Sequence, residues 1–166
     1  EIRNRKVARE AAAEGMVLLE NHEHILPLQS GSKVALYGSG AVKTIKGGSG
    51  SGDVNERETI SIWTGMKNAG YQIVNEDWLG EYKSLYEKEK RAWRDRILEL
   101  TGNREHAAFF RTFASHPFQI PAGSVPDMET VKKYECDTAF YIISRTAGES
   151  ADRKCEKGDY YLSDEE

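Results

Sequence analysis

The sequence is short of cysteine and histidine, of apolar runs, and of charge of one sign, and each shortage excludes something. Its two cysteines, Cys136 and Cys155, could pair but make no disulfide framework. A reduced, cytoplasmic setting is the simpler expectation. No CxxC occurs and the four histidines join no His-Cys cluster, so no metal is expected. His22 and His24 could share a face of an extended segment, but they lack a nearby third ligand. No apolar run is long enough to span a bilayer, and no signal peptide is recognisable before the first helix. With 23 Lys+Arg against 27 Asp+Glu, the net charge of -4 gives no reason to expect nucleic acid or an anionic membrane as partner. Two nucleotide signatures fail as well. Gly38-Ser-Gly40 lacks the third glycine of G-x-G-x-x-G, because position 43 is Lys, and Val42 rather than Gly precedes Lys43-Thr44. No cofactor is called for.

What remains is a chain of 166 residues, 39% hydrophobic and 30% charged, which suffices for one soluble domain with a real core. Residues 3–20 read as a helix, with Val7, Ala8, Ala11, Ala12, Gly15, Leu18 and Leu19 on one stripe. Ile25-Leu-Pro-Leu28 then reads as an extended apolar connector. Strands are expected near 33–37, 71–75 and 138–144, mutually parallel in one sheet. Between the first two lie the glycine-dense stretch 46–53 and a helix for which Thr59 is a candidate cap. A charged helix follows from Glu81 to about Thr101, then a short helix over 105–114, a Pro-rich loop, and a helix that Pro126 opens. Ser163-Asp-Glu-Glu166 reads as a helix start, with Ser as N-cap and acidic first-turn residues. With three strands in hand, the expectation is an incomplete three-layer α/β sandwich with a mostly parallel sheet. Residues 1–29 form its leading helix and connector, residues 30–166 the sandwich, and 80–125 a helical insertion.

The chain is organised around residues 137–153. An apolar run, Thr138 to Ile143, reads as a buried strand and breaks at Gly148 into a loop carrying Arg145, Glu149, Asp152 and Arg153. In parallel sheets, sites sit beyond the carboxyl ends of the strands, where this loop would deliver Glu149. The alternative is a solvated loop with a surface ion pair among these four residues.

Several stretches, in order, resemble glycoside hydrolase family 3. Residues 8–21 (AREAAAEGMVLLEN), Ile25-Leu-Pro-Leu28 and Lys33-Val-Ala-Leu-Tyr-Gly38 look like the opening of its α/β-sandwich domain. Residues 46–55 (KGGSGSGDVN) look like its glycine-rich loop, and residues 144–153 (SRTAGESADR) like its acid/base loop. Residues 80–125 are not part of the pattern. The resemblance implies part of a retaining, β-glucosidase-like glycosidase acting on a β-linked glycoside or oligosaccharide. The aspartate nucleophile would come from a (β/α)8 barrel absent from this chain, so the chain alone is expected to be inactive. Glu149 would be the general acid/base, with Gly47, Gly48, Ser49 and Arg145 on the substrate side. Such enzymes place two carboxyls about 5 Å apart, and the acid must hold its proton at working pH. One or both of Arg145 and Arg153 are therefore expected to pair with Asp152 or a backbone group rather than with Glu149. Asp152 is the competing candidate for the acid. Two other readings stand beside this one: a non-catalytic carbohydrate-binding or scaffold module, and a nucleotide-binding domain using Gly38 to Gly40.

Overall fold

The computed structural model describes residues 2–48, 52, 58–102, 106–148 and 152–166. Its centre is β1 (Lys33–Tyr37), flanked by β2 (Gln72–Ile73) on one side and β3 (Ala139–Tyr141) on the other. Both pairings are parallel. Lys33 stands opposite Gln72 and Val34 opposite Ile73; Ala35, Leu36 and Tyr37 stand opposite Ala139, Phe140 and Tyr141. The expected α/β architecture and the positions of all three strands therefore hold, in a small open sheet.

The burial of the strands differs from expectation. β1 has neighbours on both sides, and Val34 to Tyr37 are all buried. β3 was expected to be buried, yet it is an edge strand with Ala139 and Tyr141 exposed and Phe140 half-buried. An apolar run marks a strand but does not say how many neighbours the strand has.

β2 ends after two residues because Asn75 takes over its role. Gln72 and Val74 donate their backbone N–H groups to the carbonyls of Ser32 and Val34 at 3.0 and 3.1 Å. The next rung would bond Leu36, but the chain turns there into α4 (Glu76–Thr101). The Asn75 side chain reaches back instead. Its Oδ1 accepts from Leu36 N–H at 2.9 Å, and its Nδ2 donates to Leu36 O at 2.7 Å. A fully buried amide thus satisfies two buried backbone groups.

α4 begins five residues earlier than expected, at Glu76 and Asp77, two acids suited to the positive end of the helix dipole. Trp78, Leu79, Tyr82 and Tyr86 from its first half belong to the core cluster around β1. The segment read as an insertion is thus packed into the core at its start. Trp78 stacks on Tyr82 at 5.5 Å and meets Tyr37 edge-on at 5.2 Å. The loop after α5 (His106–Ser115) closes over this group. Trp78 Nε1 donates to Ser124 O at 3.1 Å, and Tyr82 OH to Pro121 O at 2.8 Å.

Shorter helices complete the frame. α2 (Ser39–Val42) leaves the end of β1, and α3 (Ile62–Asn68) is capped by Ser61 rather than Thr59, with Ser61 Oγ accepting from Thr64 N–H at 3.1 Å. Thr44 joins the two: its hydroxyl donates to Gly40 O and accepts from Ile62 N–H. α6 (Met128–Lys133) is capped by Asp127. Its following residue, Tyr134, donates to Asp77 Oδ1 at 2.6 Å and ties α6 to the start of α4. α1 (Ile2–Glu14) stops at Gly15, well short of residue 20, and buries none of its residues. Met16, Val17, Leu18 and Leu19 beyond it are exposed. Asn21 instead holds the connector by a reciprocal pair of bonds to the Leu26 backbone.

Candidate functional site

The carboxyl ends of β1 and β3 meet in a seam lined by glycines. Gly38 adopts φ +85°, and a Cβ there would lie 2.4 Å from Ile142 O. A Cβ on Gly40 would lie 2.5 Å from Ile142 Cγ2 and 2.6 Å from Ser144 Oγ. On Gly48 it would lie 2.6 Å from Ala147 O. Residues 142–147 therefore run directly across three glycine backbones, and only glycine permits that approach. Gly40 N–H donates to Ile142 O at 3.1 Å. The space and the donor that a phosphate would need at Gly38 to Gly40 are occupied by protein backbone, which removes the nucleotide reading's structural basis.

Within the glycine-rich stretch Gly47 lies close to Gly52: a Cβ on Gly47 would lie 2.8 Å from Gly52 O. Gly47 and Gly48 are thus at the same end of the sheet as the segment leading to residue 149, with Gly48 against Ala147. Ser49 and Glu149 lie outside the described residues.

Arg145 is spent on protein partners. Nε donates to Asp159 O at 2.7 Å, and Nη1 to Ser144 O at 3.0 Å and to Glu166 Oε1 at 2.7 Å. Nη2 donates to Glu166 Oε2. The pair is bidentate and largely enclosed, with side chains 16% and 9% exposed. The Arg145 hydrogen bond holds Glu166 below the usual carboxylate range, and the same bond pushes Arg145 up. Glu166 also closes a capping box with Ser163: Ser163 N–H donates to Glu166 Oε2 at 2.8 Å, and Glu166 N–H to Ser163 Oγ at 3.2 Å. The N-cap geometry expected at Ser163 is present, although no helix is formed over 163–166.

Arg153 pairs with Asp159, not with Asp152. Its Nε donates to Asp159 Oδ1 at 2.8 Å and its Nη2 to Asp159 O. Lys154 N–H donates to Asp159 Oδ2 at 2.6 Å. This backbone bond first, then Arg153, lowers the pKa of Asp159. Asp152 is exposed. Cys136 is half-buried and Cys155 exposed, both as free thiols. Sequence reasoning missed Asp159 altogether and saw Glu166 only as a first-turn acid. Its nearest signal was the Ser-x-x-Glu spacing of 163–166.

Elsewhere, a groove on α4 is lined by Lys83, Glu87, Lys88, Arg91 and Asp95 among others, a helix surface of mixed charge. Among the described residues no three metal-ligating side chains converge, and no helix is long and apolar enough to cross a membrane.

An open parallel sheet, with a glycine loop and a braced arginine-rich loop at one end of its strands, defines an α/β-sandwich domain. Residues 16–163 match the glycosyl hydrolase family 3 C-terminal domain, and the chain belongs to that family. It is 34% identical over 146 residues to beta-glucosidase A of Butyrivibrio fibrisolvens, covering 87% of this chain and 15% of that protein. It is 32% identical to a beta-glucosidase of Ruminococcus albus, covering 96% of this chain and 15% of that one. The chain thus spans about 15% of the length of these relatives. Among solved structures, beta-glucosidase 3B of Thermotoga neapolitana in complex with alpha-D-glucose superposes with a TM-score of 0.64 at 38% identity, over 98% of this chain and 21% of that one. A beta-glucosidase of Paenibacillus barengoltzii gives 0.70 at 27% identity, over 96% and 16%.

Proposed function

We propose that this domain supplies the general acid/base of a retaining β-glucosidase-like enzyme, and that Glu149 is that residue. The observation that carries the reading is the contact of Gly48 with Ala147, which brings the glycine loop against the segment entering 148–153 at the carboxyl ends of β1 and β3. Family membership and relatives named as β-glucosidases support the same chemistry. The substrate is a β-linked glycoside or oligosaccharide. A (β/α)8 barrel outside this chain provides the nucleophile, so the domain alone does not turn over. Glu149 protonates the departing glycosidic oxygen while the nucleophile attacks the anomeric carbon. It then takes a proton from the water that hydrolyses the glycosyl-enzyme. Gly47, Gly48 and Ser49 border the substrate. Arg145, whose donors are bonded within the protein, serves the loop and not the sugar.

The test is Glu149→Ala in the full-length protein. Hydrolysis of alkyl β-glucosides, whose leaving groups need a proton, falls by about 10²–10⁴ in kcat/KM. Dinitrophenyl β-glucoside suffers far less in the glycosylation step, and azide restores turnover by attacking the intermediate. Normal rates on both substrates would end the assignment. The same pattern in Asp152→Ala instead would move it to Asp152.

A further inference from the structure

We infer that Arg145 and Arg153 are positioning residues for the acid/base loop and that Asp159 is the post to which both are tied; this rests on the reading of Glu149 given above. The two arginines stand four residues before and four residues after Glu149. Both guanidinium groups donate to the same acceptor, the backbone carbonyl of Asp159. The Asp159 carboxylate then takes Arg153 Nε on one oxygen and Lys154 N–H on the other. The two ends of the span 145–153 therefore converge on a single residue. The Arg145 end is fixed a second time, by the bidentate Glu166 carboxylate that is itself locked by Ser163.

This arrangement differs from a decorative surface pair. An exposed ion pair joins two flexible side chains and constrains little. Here backbone carbonyls and a backbone N–H take part, so the bonds fix where the chain itself enters and leaves the loop. Tying the ends of a short loop removes most of its accessible conformations. An acid that must meet a glycosidic oxygen in one orientation gains from that restriction, because an error of about 1 Å can cost a factor of about 10² in rate. The brace also spends both guanidinium charges on Asp159 and Glu166. Cations left unpaired on either side of Glu149 would favour its ionised form, which cannot donate a proton.

The experiment uses the full-length protein and compares wild type, Asp159→Ala, Arg145→Ala, Arg153→Ala and Glu149→Ala. Asp159→Ala removes the carboxylate bonds to Arg153 and Lys154 but leaves the backbone carbonyl, so it tests the Arg153 end. Arg145→Ala, with the same expected shift, tests the other. It measures kcat/KM for an alkyl β-glucoside and for dinitrophenyl β-glucoside, and azide rescue, with thermal unfolding as the control for folding. Asp159→Ala is expected to lower the alkyl glucoside value by about tenfold or more while the dinitrophenyl value changes by less than about threefold. Azide gives no rescue, because the Glu149 carboxylate is retained in this variant. A purely structural role would lower both substrates together and leave their ratio fixed. If Asp159→Ala fails to fold, Arg153→Ala decides, since it breaks the carboxylate link from a more exposed side chain. A changed ratio in Glu149→Ala with an unchanged ratio in the folded Asp159 or Arg153 variant overturns the positioning role alone. An unchanged ratio in Glu149→Ala overturns the acid/base reading and the positioning role with it.

Discussion

Replacing Asn75 by Ala should be among the most damaging single changes outside the candidate site. Asn75 is fully buried, and its two hydrogen bonds go to the N–H and C=O of Leu36, itself fully buried in the central strand. Ala removes the partner from both groups. A buried backbone group left without one costs about 1–3 kcal/mol, so the expected loss from two is about 2–6 kcal/mol. For a domain of this size each kcal/mol moves the midpoint by about 2–4 °C, which places the shift at roughly 4–24 °C. Thermal unfolding measures the total, and hydrogen exchange localises it: the Leu36 amide should lose protection ahead of Ala35, which bonds Thr138 O on the other side of β1. Asn75→Asp sharpens the test. It keeps an acceptor for Leu36 N–H but turns the second oxygen, charged, on Leu36 O. Burial and that carbonyl raise the folded pKa of the new carboxyl, so the native state binds its proton more tightly than the unfolded chain does. The variant should therefore be least stable above that raised pKa and recover as the pH falls through it. A midpoint and Leu36 protection unchanged in Asn75→Ala would refute the reasoning, because both orphaned groups would then have found other partners at no cost.

Two further outcomes follow from the same geometry. Gly38→Ala should destabilise the domain by about 2–5 kcal/mol, since its backbone lies in a region only glycine favours and the new Cβ would meet a backbone carbonyl that cannot swing aside; exchange protection over 142–147 should fall with it, and a midpoint within 2 °C of wild type, by about the scale above, would count against the seam. Asp77, Glu87, Asp127, Asp159 and Glu166 all have lowered folded pKa values, so their stabilisation is fully present above the unfolded carboxylate range of about 4 and is lost as the pH falls below it. Thermal midpoints recorded from neutral to acid pH should be flat and then drop, and Glu166→Gln should make the drop shallower.

The three strands were legible because parallel strands in such a sheet are continuous apolar runs, and Val34 to Leu36, Ile73 to Val74 and Phe140 to Ile143 are such runs. Their rank in the sheet was not legible. Tyr141 and Ile143 tolerate 45% exposure each at an edge, and nothing in their identity distinguishes that from burial. Asn75 was lost for a related reason: it reads as the last residue of the second strand, while its work as a substitute rung depends on Leu36, 39 residues away. The early start of α4 was within reach, since Glu76 and Asp77 are the acids a first turn favours. The partners of Arg145 were not: they stand 14 and 21 residues on, and the identity of a loop arginine does not say which acceptors it meets.

Gly38, Gly40 and Gly48 show how one composition can carry two opposite meanings. In sequence, glycines after a strand imitate a phosphate cradle, because both need backbone stripped of Cβ. What the missing side chains admit here is the chain itself, residues 142–147, whose carbonyls and side chains fill the space above each glycine. The approach has a geometric consequence. β3 pairs with β1 over only three residues, too few to fix the direction of a long loop beyond it. The glycine seam carries the contact on from Ile142 to Ala147, and the bonds from Arg145 and Arg153 to Asp159 close the loop from the other side. Between them these two devices tie the described residues on either side of 149–151, 142–148 and 152–159, to the rest of the domain. Filling the seam at Gly38 or removing the Asp159 carboxylate from the brace should therefore disturb the same chemistry by different physical routes.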